Sequence, residues 1–461
     1  MKYSGSRILR LCLAAATLTT SVVVGTTRVG AQPLGRPRGA SLHSRVAAST
    51  TLRIWYGTDD PTEQELAQTL ARRFEATHQG VGVQLRTYNL DDLNGRMALA
   101  LSAGAPPDLL YTTPRGPGLA AYVRAGQLTN LSPTGRKGGW AARLRPGLLV
   151  DYNRLLAANS GVAGHVYAVP YAMAAVGVLY NKALFRRLGL RAPRTLAELE
   201  TINSRVKRAG LTPIGFGNAD GWVGDDWYLT LVNARTGPAP LAPALRPDPR
   251  FSFQGRPFRD AAAMLQRWVR SGYYTRGFDG LDAQDSMEAF FEGHTAMQLV
   301  SSTENGQILS LARENKTPVG IFPFPSTRAG HPIMPQSGYA GWAIPRASAH
   351  PALAALFIDQ ALSPETAALL LSHGLLPAHA VDRAAHASAP FQQDFLRALD
   401  TATPGVYLDA APIPNLNATM EANIQLLLAG RLSPDALVSR LQTTYASGGA
   451  RATSTRTDGE F

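Results

Sequence analysis

The sequence predicts an α/β fold of two lobes joined by crossing strands, and three observations lead there. At 461 residues the chain exceeds what one hydrophobic core fills, since single cores stop growing at about 250–300 residues. From Thr51 onward, short apolar strands alternate with amphipathic helices, the pattern of a doubly wound parallel sheet. The stretch Val166–Leu190, VYAVPYAMAAVGVLYNKALFRRLGL, passes from a proline-broken strand through small residues to a second strand and then a helix. Pro170 cannot donate to a ladder, so the first strand is expected to end there and VPYAMAAVG to cross between lobes.

The elements follow in order. Residues 1–31 read as a secretory leader: Lys2, Arg7 and Arg10 precede the apolar LCLAAATLTTSVVVG, and Val29–Gly30–Ala31 supplies small residues before a cut at Gln32. The only cysteine, Cys12, opens the apolar run instead of closing it, so it does not form a lipobox, and the mature chain has no thiol for disulfides, catalysis or metal. A leader left uncut would instead anchor the chain. Loss of Lys2, Arg7, Arg10 and Arg28 lowers the formal charge from +12 to +8. The remaining excess is scattered, without the basic stripe or module that nucleic acid requires. Residues 32–50 have the composition of a flexible tether.

TLRIWYG alternates Leu52, Ile54 and Tyr56 on one face as a first strand. Asp60, Pro61 and Glu63 then read as N-cap, first helical residue and capping-box partner of a helix carrying Leu66, Leu70 and Phe74. Val81, Val83 and Leu85 mark a second strand, and Leu93, Met97 and Leu101 a second helix. Asp108–Tyr111 marks a third strand, and Leu119, Tyr122 and Val123 a third helix. In parallel sheets ligands sit beyond the carboxyl ends of strands, which points to residues 55–59 and 111–115. After the crossing stretch, Thr195–Glu198 opens a helix, and LTPIGFG is a strand leading to the loop 218–226. Residues 237–256 read as a surface loop. Helices follow around 264–269 and 287–291, strands at 296–300, 318–324 and 341–344, and helices to 446, with a frayed tail over 447–461.

Seven pieces in consistent order resemble the extracellular solute-binding proteins of ATP-driven (ABC) importers, family 1, the sugar-binding group that includes maltose-binding protein. These are LALSAGAPPDLLY with YVRAGQLTNL, VPYAMAAVGVLYNKALFRRLGL with PRTLAELE, FFEGHTAMQLV, the block from GYAGWAIPRA to SHGLLP, and AGRLSPDALVSRL. The resemblance covers about 51–445. It implies the type II periplasmic-binding-protein architecture, with mixed sheets flanked by helices in each lobe and a hinge between them. By that analogy the lobes are 51–171 plus 325–372, and 172–324 plus 373–446. It also implies a monomer exported across the bacterial cytoplasmic membrane, to periplasm or cell surface. There it would capture a carbohydrate between the lobes and deliver it to permease transmembrane subunits, with no cofactor, metal or nucleic acid.

Sugars offer C–H faces to aromatic rings and hydroxyls to polar side chains. Trp55 and Asp59, at the end of the first strand, suit such a site, with a core tryptophan as the alternative. Tyr111 ends the third strand, where this family often has an aromatic. Tyr171 stands at the crossing, facing either the cleft or the core. Trp222, Asp226 and Trp227 are the second-lobe candidates; the two tryptophans, five apart on a helix, do not share a face, so one is expected in the core. Tyr339 suits the cleft and Trp342 the interior. The family often places Gly and Trp after AMQLV, where this chain has Ser301–Asn305, so Thr303 and Glu304 are expected to substitute polar contacts for stacking.

An enzyme would need a recognisable nucleophile, acid–base pair or phosphate loop, and G-x-S-x-G, H-E-x-x-H and P-loop patterns are absent from the sequence. A glycosidase pair built from distant carboxylates is the remaining enzymatic reading. Non-sugar alternatives are ferric iron through Tyr273–Tyr274, a polyamine or a sugar phosphate. His294, His331, His373 and His379 lack ligand spacing.

Overall fold

Strand alternation and helix capping fold the N-terminal part as their spacing requires. The computed structural model describes residues 50–457 except 59, 114–116, 246–247, 380, 382–389, 409–410, 412 and 414; the expected leader and tether lie outside the described residues. β1 (Thr50–Gly57) buries Leu52, Ile54 and Tyr56 completely. α1 (Pro61–Thr77) starts at Asp60, whose carboxylate accepts from the Thr62 N–H at 2.7 Å. β2 (Val81–Tyr88), α2 (Leu90–Ser102), β3 (Leu109–Thr112) and α3 (Pro117–Arg124) follow. β1 pairs in parallel with both β2 and β3.

Three helices then appear that the sequence did not announce: α4 (Ser132–Lys137), α5 (Trp140–Arg143) and α6 (Leu148–Ser160). None has a side-chain cap, and Gly139 and Gly147, at φ 63° and 82°, turn the chain into the last two. Apart from Pro133 in the first turn of α4, the signature residues of a helix start are therefore missing.

β4 (Val169–Asn181) is one strand where two were expected. Pro170 is accommodated because the register against β8 (Ile333–Ala343) slips between Pro170 and Ala172 and again between Ala172 and Met173. The first half of β4 pairs antiparallel with β8, and the second half with β6 (Thr295–Ser301) and β7 (Val319–Phe322). With β5 (Thr212–Gly215) at the far edge, the order is β2-β1-β3-β8-β4-β6-β5. The β3–β8 pairing is antiparallel, so the sheet is mixed and the all-parallel reading of the alternation is corrected.

The flanking helices are α7 (Lys182–Arg187), α8 (Leu196–Arg208), α9 (Trp222–Thr236), α10 (Arg256–Arg270), α11 (Ala283–Phe291), α12 (Asn305–Glu314), α13 (Pro351–Ala361), α14 (Pro364–Ser372), α15 (Pro390–Thr401), α16 (Leu416–Leu428) and α17 (Pro434–Thr457). α17 continues well past Ser447, where fraying was expected. The stretch 237–256 is not a plain surface loop: Leu241, Phe251 and Phe253 are buried, the two phenylalanines against Phe258 and Tyr445. Prolines and arginines interrupt its periodicity, so the inward aromatics form no readable stripe.

Two hydrophobic cores result. One gathers β1, β3, α1 and the start of β4; the other gathers Val176 and Val178 of β4 with α8, α9, α10 and α16. Met287, Phe290, Phe291 and Phe395 join the first core although their segments were assigned to the second lobe. Asp108, fully buried, ties the first core together. Its carboxylate accepts from the N–H of Arg53, Ala349 and His350 and from Ser348 Oγ at 2.9–3.2 Å. Asp108→Ala would remove the shared acceptor of four part-buried donors, so a loss of about 3 kcal/mol is expected in urea unfolding; a loss under about 1 kcal/mol would contradict this role.

Candidate binding site

A cavity of about 480 Å³ lies beyond the carboxyl ends of β3 and β6, within the size range of small-molecule sites. Tyr111, Thr112 and Thr113 end β3 on one side, Thr303 follows β6 on the other, and Ala174 and Ser337–Tyr339 of the paired β4 and β8 bound it between them. Leu90, Leu93 and Met97 of α2 and Tyr122 of α3 complete an apolar wall. Gly57 permits this approach: a Cβ there would come within 2.8 Å of the Leu90 and Leu93 methyls. On the other side of the β4–β8 pair is a second space of about 280 Å³. Met173 faces it while Ala174 faces the first, as successive strand residues must.

The sequence candidates divide accordingly. Tyr111, Thr303 and Tyr339 line the first cavity. Tyr171 does not: it is fully buried, shares a 2.7 Å hydrogen bond with the Tyr56 hydroxyl and stacks on Trp342 at 5.2 Å. Trp227 is likewise a core residue, packed edge-on to Trp268, Tyr274 and Phe324. Asp226 is buried one residue before it. Trp222 is half-buried at the first turn of α9, against the second core. Trp55 is half-buried on the face of β1 opposite Tyr56, edge-on to Tyr88 at 5.4 Å. Asp59 lies outside the described residues.

Glu304 is corrected too. Its carboxylate accepts from the Ser301 N–H at 2.8 Å while Ser301 Oγ accepts from the Thr303 N–H, a reciprocal cap that directs the acid to backbone. Burial pushes that carboxyl up to about 7. Ser302, unremarked in the sequence, latches the loop to β4 by accepting from the Ala175 N–H at 3.1 Å. The paired tyrosines diverge: Tyr273 reaches Ser204 Oγ at 2.7 Å, whereas Tyr274 is buried against Phe216, with its phenol pushed up by burial. That geometry opposes a shared metal–phenolate site.

The residue that sequence reasoning misjudged most is Glu63. Its expected capping-box target, the Asp60 N–H, is already taken by Thr58 Oγ1 at 3.0 Å. The Glu63 carboxylate instead turns inward, only 6% exposed, and accepts from the Tyr339 hydroxyl at 3.4 Å. Burial pushes its pKa up from 4.5 to about 7, with Thr58 and Tyr339 opposing and Asp60 adding to the shift. A raised folded-state pKa gives a stability contribution that is full below the unfolded value and lost as pH rises through the folded one.

Known proteins share the family and the fold. The family model described as bacterial extracellular solute-binding protein matches residues 56–368. The chain is 22% identical over 265 residues to the multiple sugar-binding protein of Streptococcus mutans, covering 56% of this chain and 58% of that one. It is 29% identical over 185 residues to the melibiose/raffinose/stachyose-binding protein MelE of Bacillus subtilis, covering 39% of each. The matches thus span between about two-fifths and three-fifths of these relatives' length. The apo structure of RafE from Streptococcus pneumoniae superposes with TM-score 0.70 at 21% identity, covering 87% of this chain and 98% of that one. The two-lobed type II fold is therefore shared.

The titration of Glu63 has a measurable consequence. Glu63→Gln is expected to match the native chain near pH 5 and to exceed its stability at pH 8 by up to about 3 kcal/mol, from about 1.4 kcal/mol per pKa unit. Urea unfolding at the two pH values checks this; equal stabilities at pH 8 would refute it.

Proposed function

Because the chain belongs to the bacterial extracellular solute-binding protein family, we propose that it is the extracytoplasmic capture component of an ABC importer. It holds a carbohydrate between its lobes and presents it to the permease transmembrane subunits. The observation that carries this reading is the cavity at the β3 and β6 ends, lined by first-core residues, by Ala174 and Ser337–Tyr339 of the β4–β8 pair that connects the cores, and by Thr303 after β6. A ligand touching both sides favours the closed arrangement by its extra contacts there, and affinity for one side alone would close nothing. Thr112, Thr113, Thr303 and Tyr339 bring the hydroxyls a sugar requires to the lining, while the Tyr111 ring, nearly buried and packed on Tyr56, backs the wall. Trp222, half-buried at the start of α9, is the stacking surface we assign to the second lobe.

The relatives named for multiple sugars and for melibiose, raffinose and stachyose support the ligand class. The lobes divide at about residues 171, 324 and 372, so that the chain crosses between them three times. Residues 1–31 direct export and are removed. The protein acts as a monomer and does no chemistry on its ligand.

Thermal melting against melibiose, raffinose, maltose, spermidine and ferric citrate tests the assignment. A ligand at about 1,000 times its Kd adds about 4 kcal/mol, and a stabilising shift with one of the sugars, without turnover, is the expected result. A shift with spermidine or iron alone would overturn the sugar reading. Thr303→Trp, which projects an indole into the cavity, is expected to weaken the sugar that binds by about tenfold or more with little change in the unliganded melt. Unchanged affinity in that variant would move the site elsewhere.

A further inference from the structure

Two hydroxyls on the cavity wall are held from behind by buried polar groups. Tyr152 donates to the Thr112 carbonyl and therefore accepts from Thr112 Oγ1, both at 3.2 Å. Thr112 is left presenting lone pairs to the cavity. Tyr339 is the second, with Glu63 behind it at 3.4 Å. Glu63 is faced by Thr58 and Asp60 at the start of α1, by Tyr56 from β1, Tyr111 from β3, Tyr171 from β4 and Tyr339 from β8. Among the described residues, none of the groups acting on it is a cation.

We propose that Glu63 is a positioning residue for ligand capture: its carboxyl sets the direction of the Tyr339 hydroxyl, and the ligand binds preferentially when Glu63 carries its proton. The inference rests on the reading of this cavity as the ligand site. An ionised carboxylate only accepts, so it draws the Tyr339 proton away from the cavity and leaves acceptors at both Thr112 and Tyr339. A neutral carboxyl can donate to the Tyr339 oxygen and release the phenol O–H toward the ligand. The wall then offers one acceptor and one donor, which suits sugar hydroxyls that each give and take a hydrogen bond. Exclusion of water by a seated ligand acts in the same direction, because a carboxyl without a counter-charge is favoured in its neutral form by dehydration. Its midpoint near 7 puts the change in an accessible range. The bound form has the higher pKa, so affinity is greatest below neutrality and falls as pH rises through it.

The test is calorimetric titration of raffinose into the full chain at about pH 6 and about pH 8 for the native protein, Glu63→Gln and Tyr339→Phe, with the expected native loss about threefold or more. Glu63→Gln, whose amide donates to Tyr339 as the neutral acid does, is expected to keep the low-pH affinity at both values. Tyr339→Phe is expected to bind more weakly and without pH dependence. A flat native profile, or a Glu63→Gln profile that still falls, overturns the inference and leaves the sugar reading standing. Should raffinose and the other sugars bind at neither pH, the sugar reading falls, and carbon-13 NMR of the Glu63 carboxyl decides separately. A midpoint that Tyr339→Phe displaces supports the pairing, and one that it leaves in place overturns it.

Discussion

The antiparallel pairing of β4 with β8 is the constraint on which the rest of the molecule depends. β8 joins β3 on its other side, and β4 passes on to β6 and β7, so this one pairing makes a continuous sheet out of two cores. The ladder there is irregular, with two slips of register around Pro170 and Ala172. A proline without an N–H and a bulged strand pair less fully than regular neighbours. Despite these slips, β4 stays buried along nearly its whole length. Aromatic packing offsets the deficit on the first-core side, where Trp342 of β8 stacks on Tyr171 of β4 and meets Tyr56 and Phe357.

Placing the cavity against this pairing gives its walls different mechanical origins. Tyr111 and Thr112 are fixed to the first core, Ser302 latches the Thr303 loop to the N–H of Ala175, and Tyr339 and Ala174 belong to the crossing strands themselves. Any movement at the crossing changes the space between these groups. The buried polar layer behind the wall limits how the hydroxyls can turn: Tyr152 holds Thr112, and Glu63 holds Tyr339. A carboxylate at 6% exposure with hydrogen-bond donors but no cation acting on it is destabilising in its charged form. Its retention beneath a candidate ligand site sets local function against stability, as is common where pKa values are perturbed.

Much of the scaffold was legible because it rests on local chemistry. Strand alternation at Leu52, Ile54 and Tyr56, the Asp60 and Thr195 caps, and Gly189 at φ 60° all act within a few residues. The helices over 132–160 were not legible, because glycine and leucine, without capping side chains, precede them. The buried phenylalanines of 251–253 were hidden among prolines and arginines for a similar reason. One of the two tryptophans of α9 was rightly expected in the core, but the choice of Trp227 needed its neighbours Trp268, Tyr274 and Phe324.

By itself the sequence determined the α/β class and, outside 132–160, most of the strands and capped helices of the scaffold. Each of these follows from periodicity and local capping, which neighbouring residues decide among themselves. Tertiary structure alone decided which side chains face the cavity, the antiparallel insertion of β8 and the fate of Glu63. A backbone oxygen can be satisfied locally, but a carboxylate takes whichever donor the fold brings to it. The Asp60 N–H was already bonded to Thr58, and the Tyr339 hydroxyl came from 276 residues away.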